Sequence, residues 1–480
     1  MNKDVDYNGN DSIDVTPTSR DIYFSLARGG YNLATAVEEY VDNSLEQAMA
    51  SKIQSRRKIV VRSVLPDAIN AESFIEILDD CGGCSKTEAS NFIQPGKSGV
   101  DPESGKISRF GFGGKAAGLA VAKRIEISSR SPGETGWTII MDKDSLMKKQ
   151  DWKFSFESTP PSGIEQGSTR IRLYLGNEKK IDVANFPNDV TVSLKKRYSS
   201  FNCWNADVYV NKTKIESTDP YYEILPDGFA PEGAQPYKVS KQVSFPMSGV
   251  EGISKLQTVS IGVIVGLKPS GTALQEFGAN IYCNCRLLVE NDKTGFKSEV
   301  GHPDNPMVWF RSVVEINGPA ELMPWNNRKD GLDKSSPSYR KLEDFLVESY
   351  RNFTDMVGEA RHRYKDRTGD RPRIRSMIIE SFTRQLKKHN NDPREFPEVV
   401  KRSNAFEDAL EMSKSNSRVT IVTKQREVVQ VSAPIDRSVL EILRDKVGEV
   451  TMKDRVTNVD IVEEVFKHYV QCQLKREIMQ

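Results

Sequence analysis

The chain reads as an α/β protein in three parts: a strand-and-helix layer structure, a second strand-rich block, and a mainly helical remainder. Three observations predict this. Short β-branched runs flanked by Gly, Asp, Pro or Ser recur between residues 58 and 175, with helical periodicity before and between them. A second set of such runs spans about 206 to 289. From Ser338 onward apolar residues recur at helical spacing. At roughly 100–200 residues per domain the 480 residues hold about three domains. We place them at 18–185, 186–365 and 366–480, after a polar leader at 1–17.

Element by element, a helix with apolar residues at 33, 36, 37, 40, 41, 45 and 48 opens the first domain, packed on one face. Strands are expected at 58–64, 74–78, 125–129, 137–141 and 169–175, forming a sheet covered on one face. The second block contributes strand runs at 206–211, 258–267 and 278–289 and closes on the segment 323–331. An amphipathic helix then runs from 338 to about 365, and the stretch 366–372 breaks it. A basic helix (374–388), a short strand (419–423) and a final helical pair from 438 complete the chain.

Composition removes several function classes. Lys and Arg number 68 against 67 Asp and Glu, a net charge of +1, which excludes a globally basic nucleic-acid coat and a polyacidic disordered chain. No run approaches the ~18 uninterrupted apolar residues of a membrane span. The N-terminal stretch lacks the basic and apolar regions of a secretory signal, so secretion is not expected. Six cysteines, at 81, 84, 203, 283, 285 and 472, make no disulfide framework in a chain this long and suit a reducing interior, cytoplasmic or nuclear.

Three motifs in the first domain carry chemistry. In Glu38-Glu39-Tyr40-Val41-Asp42-Asn43, Glu39 and Asn43 are one helical turn apart on the same face. There a carboxylate can polarise a water and an amide oxygen can hold Mg²⁺. In Asp79-Asp80-Cys81-Gly82-Gly83-Cys84 a strand ends in two carboxylates and runs into a glycine pair, where backbone approaches a ligand closely. An Asp placed there can accept from the exocyclic amine of adenine. Cys81 and Cys84 have no second Cys-x-x-Cys or histidine pair to complete a structural zinc site. In Gly111-Phe112-Gly113-Gly114-Lys115, glycines precede a small-residue helix, presenting backbone N–H groups to an anion with Lys115 in reach of a phosphate. This is neither a Walker A loop nor a dinucleotide fingerprint. Taken singly, each motif has a plainer reading: a solvated helix face, an Asp-capped turn, a flexible glycine turn.

Taken together and in order, with Gly167-Ser168-Thr169 opening a later strand, they resemble the Bergerat-fold ATPases, the superfamily of gyrase, heat-shock chaperone, histidine kinase and MutL. The resemblance covers about the first 175 residues and implies ATP and Mg²⁺ as cofactors. It implies Glu39 as the general base, Asn43 as the Mg²⁺ ligand, and Asp79, with Gly83 and Thr169, at the adenine. Gly111, Gly113, Gly114 and Lys115 would form the lid over the phosphates. Cys81 stands where the first glycine after the adenine Asp is usual, and Ser108 where the lid's first glycine is usual.

The second block resembles, more loosely, the transducer domain of the heat-shock chaperone, MutL and Microrchidia (MORC) branch, most like MORC. The resemblance rests on 278–288 and on Pro324-Trp325-Asn326-Asn327-Arg328-Lys329-Asp330-Gly331. It implies that Lys329, or else Arg328, reaches the γ-phosphate, and that ATP gates a homodimeric clamp. The plainer reading is a solvated basic turn. Between Glu359 and Asn390 ten Lys or Arg stand against four Asp or Glu, a segment able to follow DNA phosphates or to pair its charges on a solvated helix pair. Two functional classes follow: an ATP-gated clamp on DNA, or a chaperone-like ATPase with a protein client. A protein kinase of the same superfamily is a third.

Overall fold

The computed structural model describes residues 30–50, 55–66, 72–94, 96, 107, 111, 113–148, 154–157, 163–175, 185–248, 254–270, 276–296, 306–326, 329–368 and 373–415, together with 25, 443 and 445–447. The leader, Arg328, the strand expected at 419–423 and nearly all of the final helical pair lie outside them.

The first sheet has seven strands in the order β4-β3-β5-β2-β1-β6-β7. They are β1 (Arg57–Val64), β2 (Phe74–Asp79), β3 (Arg124–Arg130), β4 (Trp137–Asp142), β5 (Ser168–Tyr174), β6 (Ala206–Val210) and β7 (Thr213–Ile215). All neighbours are antiparallel except β1 and β6. The first five match the expected strands to within a residue at each end. The last two come from beyond residue 185, where we had expected the first domain to end.

Alternation along the strands gives the sheet two different faces. Ile59, Val61, Ile75, Ile77, Ile125, Ile127, Ile171 and Leu173 are buried in the core. On the other face, cross-strand partners Arg62, Glu76, Arg172 and Glu126 alternate in sign. Glu76 receives Arg62 at 2.6 Å and Arg172 at 2.9 Å.

Helix α1 (Leu33–Ala50) covers the core face; α2 (Ser90–Ile93), α3 (Gly113–Val121), α4 (Lys143–Lys148) and α5 (Phe186–Arg197) follow in the chain. Its start is fixed by a reciprocal pair: Thr35 N–H donates to Asn32 Oδ1 (2.9 Å) and Asn32 N–H to Thr35 Oγ1 (3.0 Å). α3 lies unusually close to α1 because its small residues permit it. A Cβ on Gly118 would stand 2.1 Å from the Tyr40 hydroxyl. The helix begins at Gly113, so Gly113 and Gly114 belong to its first turn instead of preceding it.

The second sheet, ordered β11-β10-β12-β9-β8, is built from β8 (Tyr237–Ser248), β9 (Ser254–Leu267), β10 (Gly278–Cys283), β11 (Arg286–Asp292) and β12 (Phe310–Asn317). The run 278–289, expected as strand throughout, is a hairpin. Asn284 (φ 48°) and Cys285 (φ 64°) turn in the left-handed region that two-residue hairpin loops require. Helix α6 (Pro337–Thr368) covers this sheet with Leu342, Leu346, Tyr350, Phe353, Val357 and Ala360, a stripe at helical spacing. Phe353 meets Phe310 edge-on, with centroids 4.9 Å apart.

Helices α7 (Ile374–Lys388), α8 (Glu398–Lys401) and α9 (Asn404–Ser415) pack through Phe382, Phe396 and Phe406. The Ser381 hydroxyl bonds the Phe229 carbonyl (3.0 Å), tying α7 to the second domain. Part of the basic segment is paired: Arg375 with Asp408, and Arg384 with Glu232 and Glu380. Although the cysteine spacing suggested no disulfide framework, Cys203 and Cys285 are joined, linking the short turn before β6 to the β10–β11 hairpin. Among the described residues no helix is long and apolar enough to cross a membrane.

Candidate functional site

Two polar clusters lie along α1. At one, Ser44 donates to Asp79 Oδ2 at 2.6 Å, and the Cys81 N–H donates to Asp79 Oδ1 at 3.0 Å. Asp79 ends β2 on the core face, and its register partner across to β5 is Thr169, whose partner on β3 is Ser129. The Thr169 and Ser129 hydroxyls are 2.9 Å apart, and Ser129 accepts from the Cys84 N–H. One row across three strands thus sets a carboxylate and two hydroxyls side by side. Burial raises the Asp79 carboxyl to about 6, against the bonds from Ser44 and Cys81 that favour its charged form. An ionised carboxylate has about four lone-pair sites, so two donors leave capacity for an exocyclic amine. Asp80 faces elsewhere, accepting from the Lys58 N–H at 2.6 Å.

The glycines after Asp79 are required by geometry. Gly83 has φ +66°, and a Cβ there would lie 2.2 Å from the Arg130 carbonyl oxygen. Its own carbonyl accepts from Gln47 of α1 (3.3 Å), and the Gly82 N–H donates to Gly167 (2.8 Å). The loop is thereby pinned between α1, β3 and the start of β5. Cys81 does not disturb it: its side chain is buried in the core.

The second cluster begins about 7.5 Å back along α1, five residues at ~1.5 Å rise. Glu39, Asp42 and Glu38 are all buried. Lys329, from the loop after β12, places its Nζ 3.3 Å from Glu39 Oε2 and 3.0 Å from Asp42 Oδ2. Arg286, the first residue of β11, donates from Nε to Asp42 (3.1 Å to Oδ1, 2.9 Å to Oδ2). The Tyr198 hydroxyl donates to Asp42 Oδ1 at 2.7 Å. Glu38 accepts from Ser193 and from Arg197 Nε (2.8 Å), both on α5. Three buried carboxylates therefore meet two buried cations, Lys329 and Arg286, and the half-buried Arg197, the pairing under which buried charges are tolerated.

Burial raises the Glu39 carboxyl, with Lys329 opposing and Asp42 reinforcing the shift. Burial also acts to raise Asp42, but Arg286, Lys329 and Tyr198 outweigh it and hold Asp42 below its ordinary value. Lys329 resists the opposite pull of burial because two carboxylates keep it charged, and its value is raised.

The start of α3 faces this cluster. A Cβ on Gly113 would fall 1.9 Å from Glu39 Oε2, and one on Gly114 would fall 3.0 Å from the Asn43 amide nitrogen. The first turn of a helix, whose N–H groups have no partner within the helix itself, is thus set against the base candidate and the amide candidate, an arrangement suited to phosphate. Lys115 is buried and folds back to donate to the Gly111 carbonyl; burial lowers it to about 8. For Mg²⁺ the Asn43 amide oxygen is the kind of donor that can supply one ligand, substrate phosphates commonly supplying others.

Glu39, Asn43, Gly113, Gly114 and Lys329 are brought together, and Asp79, Gly83 and Thr169 form the other group. Sequence reasoning missed Asp42, Tyr198 and Ser44, and gave Arg286 no role. Asp42 had a local signal, since it is three residues from Glu39 on the same helix. Arg286 lies 244 residues from Asp42, and the likeness of 278–288 to a family segment carried no sign of that contact.

Residues 31–170 match the family model of the histidine kinase-, DNA gyrase B-, and HSP90-like ATPase. The chain matches none of the curated proteins compared with it. The matched span contains α1, Asp79, the start of α3 and Thr169, so the motifs and the family model agree on one region. The first domain accordingly has the mixed α/β layering of the Bergerat fold and is similar in sequence to its ATPases.

Proposed function

We propose that the protein is an ATP-binding and hydrolysing conformational switch of the heat-shock chaperone, MutL and MORC branch, working as an ATP-gated dimeric clamp on DNA. The family match over 31–170 supports ATP as the ligand. The observation that carries the switch is Lys329: a residue of the loop following the second sheet ends between Glu39 and Asp42 of the first domain's helix. A nucleotide phosphate entering beside Gly113 would compete with those carboxylates for the same ammonium group, so occupancy of one domain changes the contacts of the other.

In this reading Asp79 reads the adenine amine, with Ser44 orienting it and Thr169 and Ser129 beside it. Asn43 holds Mg²⁺, which when bound neutralises phosphate charge. The α3 N-terminus receives the phosphates, and Glu39 takes a proton from the attacking water. Burial of Glu39 makes it a stronger base than a solvated carboxylate. DNA is favoured as the target by the excess of Lys and Arg in 359–390. A protein client, in a chaperone-like cycle, is the alternative.

The test is an ATPase assay with and without DNA, across a salt series, on wild type and Glu39→Ala. Turnover should fall roughly 10²–10⁴-fold in the variant, the usual contribution of a general base, while nucleotide binding persists. Unchanged turnover would sink the assignment of Glu39. Stimulation by DNA that weakens steeply with salt supports the clamp; stimulation by an unfolded client and indifference to DNA supports the chaperone.

A further inference from the structure

We propose that Arg286 is a positioning residue for Lys329, locking the loop that carries the lysine and the carboxylate that receives it into one assembly. Its guanidinium is buried and divides its donors among separate parts of the chain. Nε goes to the Asp42 carboxylate on α1, and Nη1 donates to the Lys329 carbonyl oxygen at 2.9 Å. Nη2 lies 3.8 Å from Glu38. Arg286 thus grips both the backbone of Lys329 and the partner of its side chain.

That backbone needs holding. Lys329 has φ +53°, a left-handed conformation a lysine rarely adopts, and its N–H donates to Asn326 at 3.0 Å. Arg286 in turn comes from a fixed platform. The Asn284 side chain exchanges two bonds with Gly318, each 3.0 Å, at the end of β12. The Cys285 carbonyl accepts from the Ser199 N–H at 2.9 Å. Tyr198, which also bonds Asp42, forms a backbone bridge with Arg286 itself. A single ammonium group could satisfy Asp42 but lacks the planar fork needed to serve the Lys329 carbonyl at the same time.

The inference rests on the ATP-switch reading for its kinetic readout, and a second readout does not. Wild type, Arg286→Met, Arg286→Lys, Lys329→Met and the Arg286→Met/Lys329→Met double variant of the full chain are compared for kcat, ADP affinity and amide exchange by mass spectrometry. Arg286→Met should lower kcat roughly 10–100-fold, the scale of a misplaced group, leave ADP affinity within about 3-fold, and speed exchange in peptides containing Lys329. Arg286→Lys should be intermediate. The double variant should be no slower than Lys329→Met alone, because the arginine acts through the lysine. Multiplying defects, or unchanged exchange at Lys329, would overturn the proposal. If Arg286→Met does not fold, Arg286→Lys, which keeps the charge and loses the fork, decides by the same criteria, combined with Lys329→Met. If wild type does not hydrolyse ATP, the switch reading falls and the exchange measurement alone judges Arg286.

Discussion

Along α1, the Asp79 cluster and the Glu39–Asp42 cluster solve the burial of carboxylates in opposite ways. Asp79 is alone among neutral donors, a serine hydroxyl and a backbone N–H, all within the first domain, and its carboxyl is pushed up to about 6. Asp42 is surrounded by cations from β11 and the Lys329 loop and by the phenol of Tyr198, just past α5, and is pushed down. The first arrangement makes a carboxylate that is costly when charged and open to another donor. The second makes a carboxylate whose charge is committed to holding other parts of the chain. One suits recognition and the other suits coupling.

The contrast predicts stability effects of opposite sign, and the largest is at Asp42. Asp42→Ala leaves Arg286 and Lys329 buried with a charge uncompensated, a change that typically costs ~3–5 kcal/mol. Chemical denaturation of the variant should show a loss of that order. A loss below about 1 kcal/mol would mean that the cluster adds little to the cohesion of the two domains.

The same contrast governs what could be read from the sequence. The Asp79 cluster was legible because its parts are short-range or strand-register features: a strand ending in Asp, a glycine pair, a later strand opening at Thr169. Glu39 and Asn43 were legible for the same reason, four residues apart on one helix. Lys329 came from likeness to a family loop, since nothing in its spacing points to a residue 290 positions away. The contacts of Arg286 and Tyr198 stayed invisible because their partner, Asp42, is reached only after both sheets have formed. The membership of the sheets was hidden for a related reason: β6 and β7 join the first sheet through a parallel pairing with β1, and no local pattern announces which sheet a strand will join. The hairpin at 284–285 carried a weak local signal, an Asn in a two-residue loop, obscured by β-forming residues on both sides.

The loop after Asp79 offers a sharper test of the recognition side. Gly83→Ala would need a methyl group 2.2 Å from the Arg130 carbonyl, in a backbone with φ +66°. Left-handed strain and overpacking together amount to about 2–4 kcal/mol. Thermal unfolding should show the loss, and ATP affinity should fall as well, because the loop positions Asp79 through the Cys81 N–H. If stability drops while affinity is unchanged, the loop is a scaffold only.

The smallest expected effect is the most discriminating, because recognition and stability should move in opposite directions. Asp79 has a folded-state value near 6, above the ordinary 3.8, so the folded state binds its proton more tightly than the unfolded state. Stability from this group is therefore fully present below about pH 4 and is lost as pH rises to about 6. Asp79→Asn removes that titration. The variant should be more stable than wild type at pH 8, by roughly 1–2 kcal/mol once the weaker bond to Ser44 is allowed for. The advantage should shrink between pH 6 and 4. Affinity for ATP should meanwhile drop about 10-fold or more, the worth of a charge-assisted hydrogen bond. A gain in stability coupled to a loss of binding identifies a carboxylate kept at a cost to the fold for the sake of a ligand. A loss of both at pH 8 would place Asp79 with Asp42, as a structural charge.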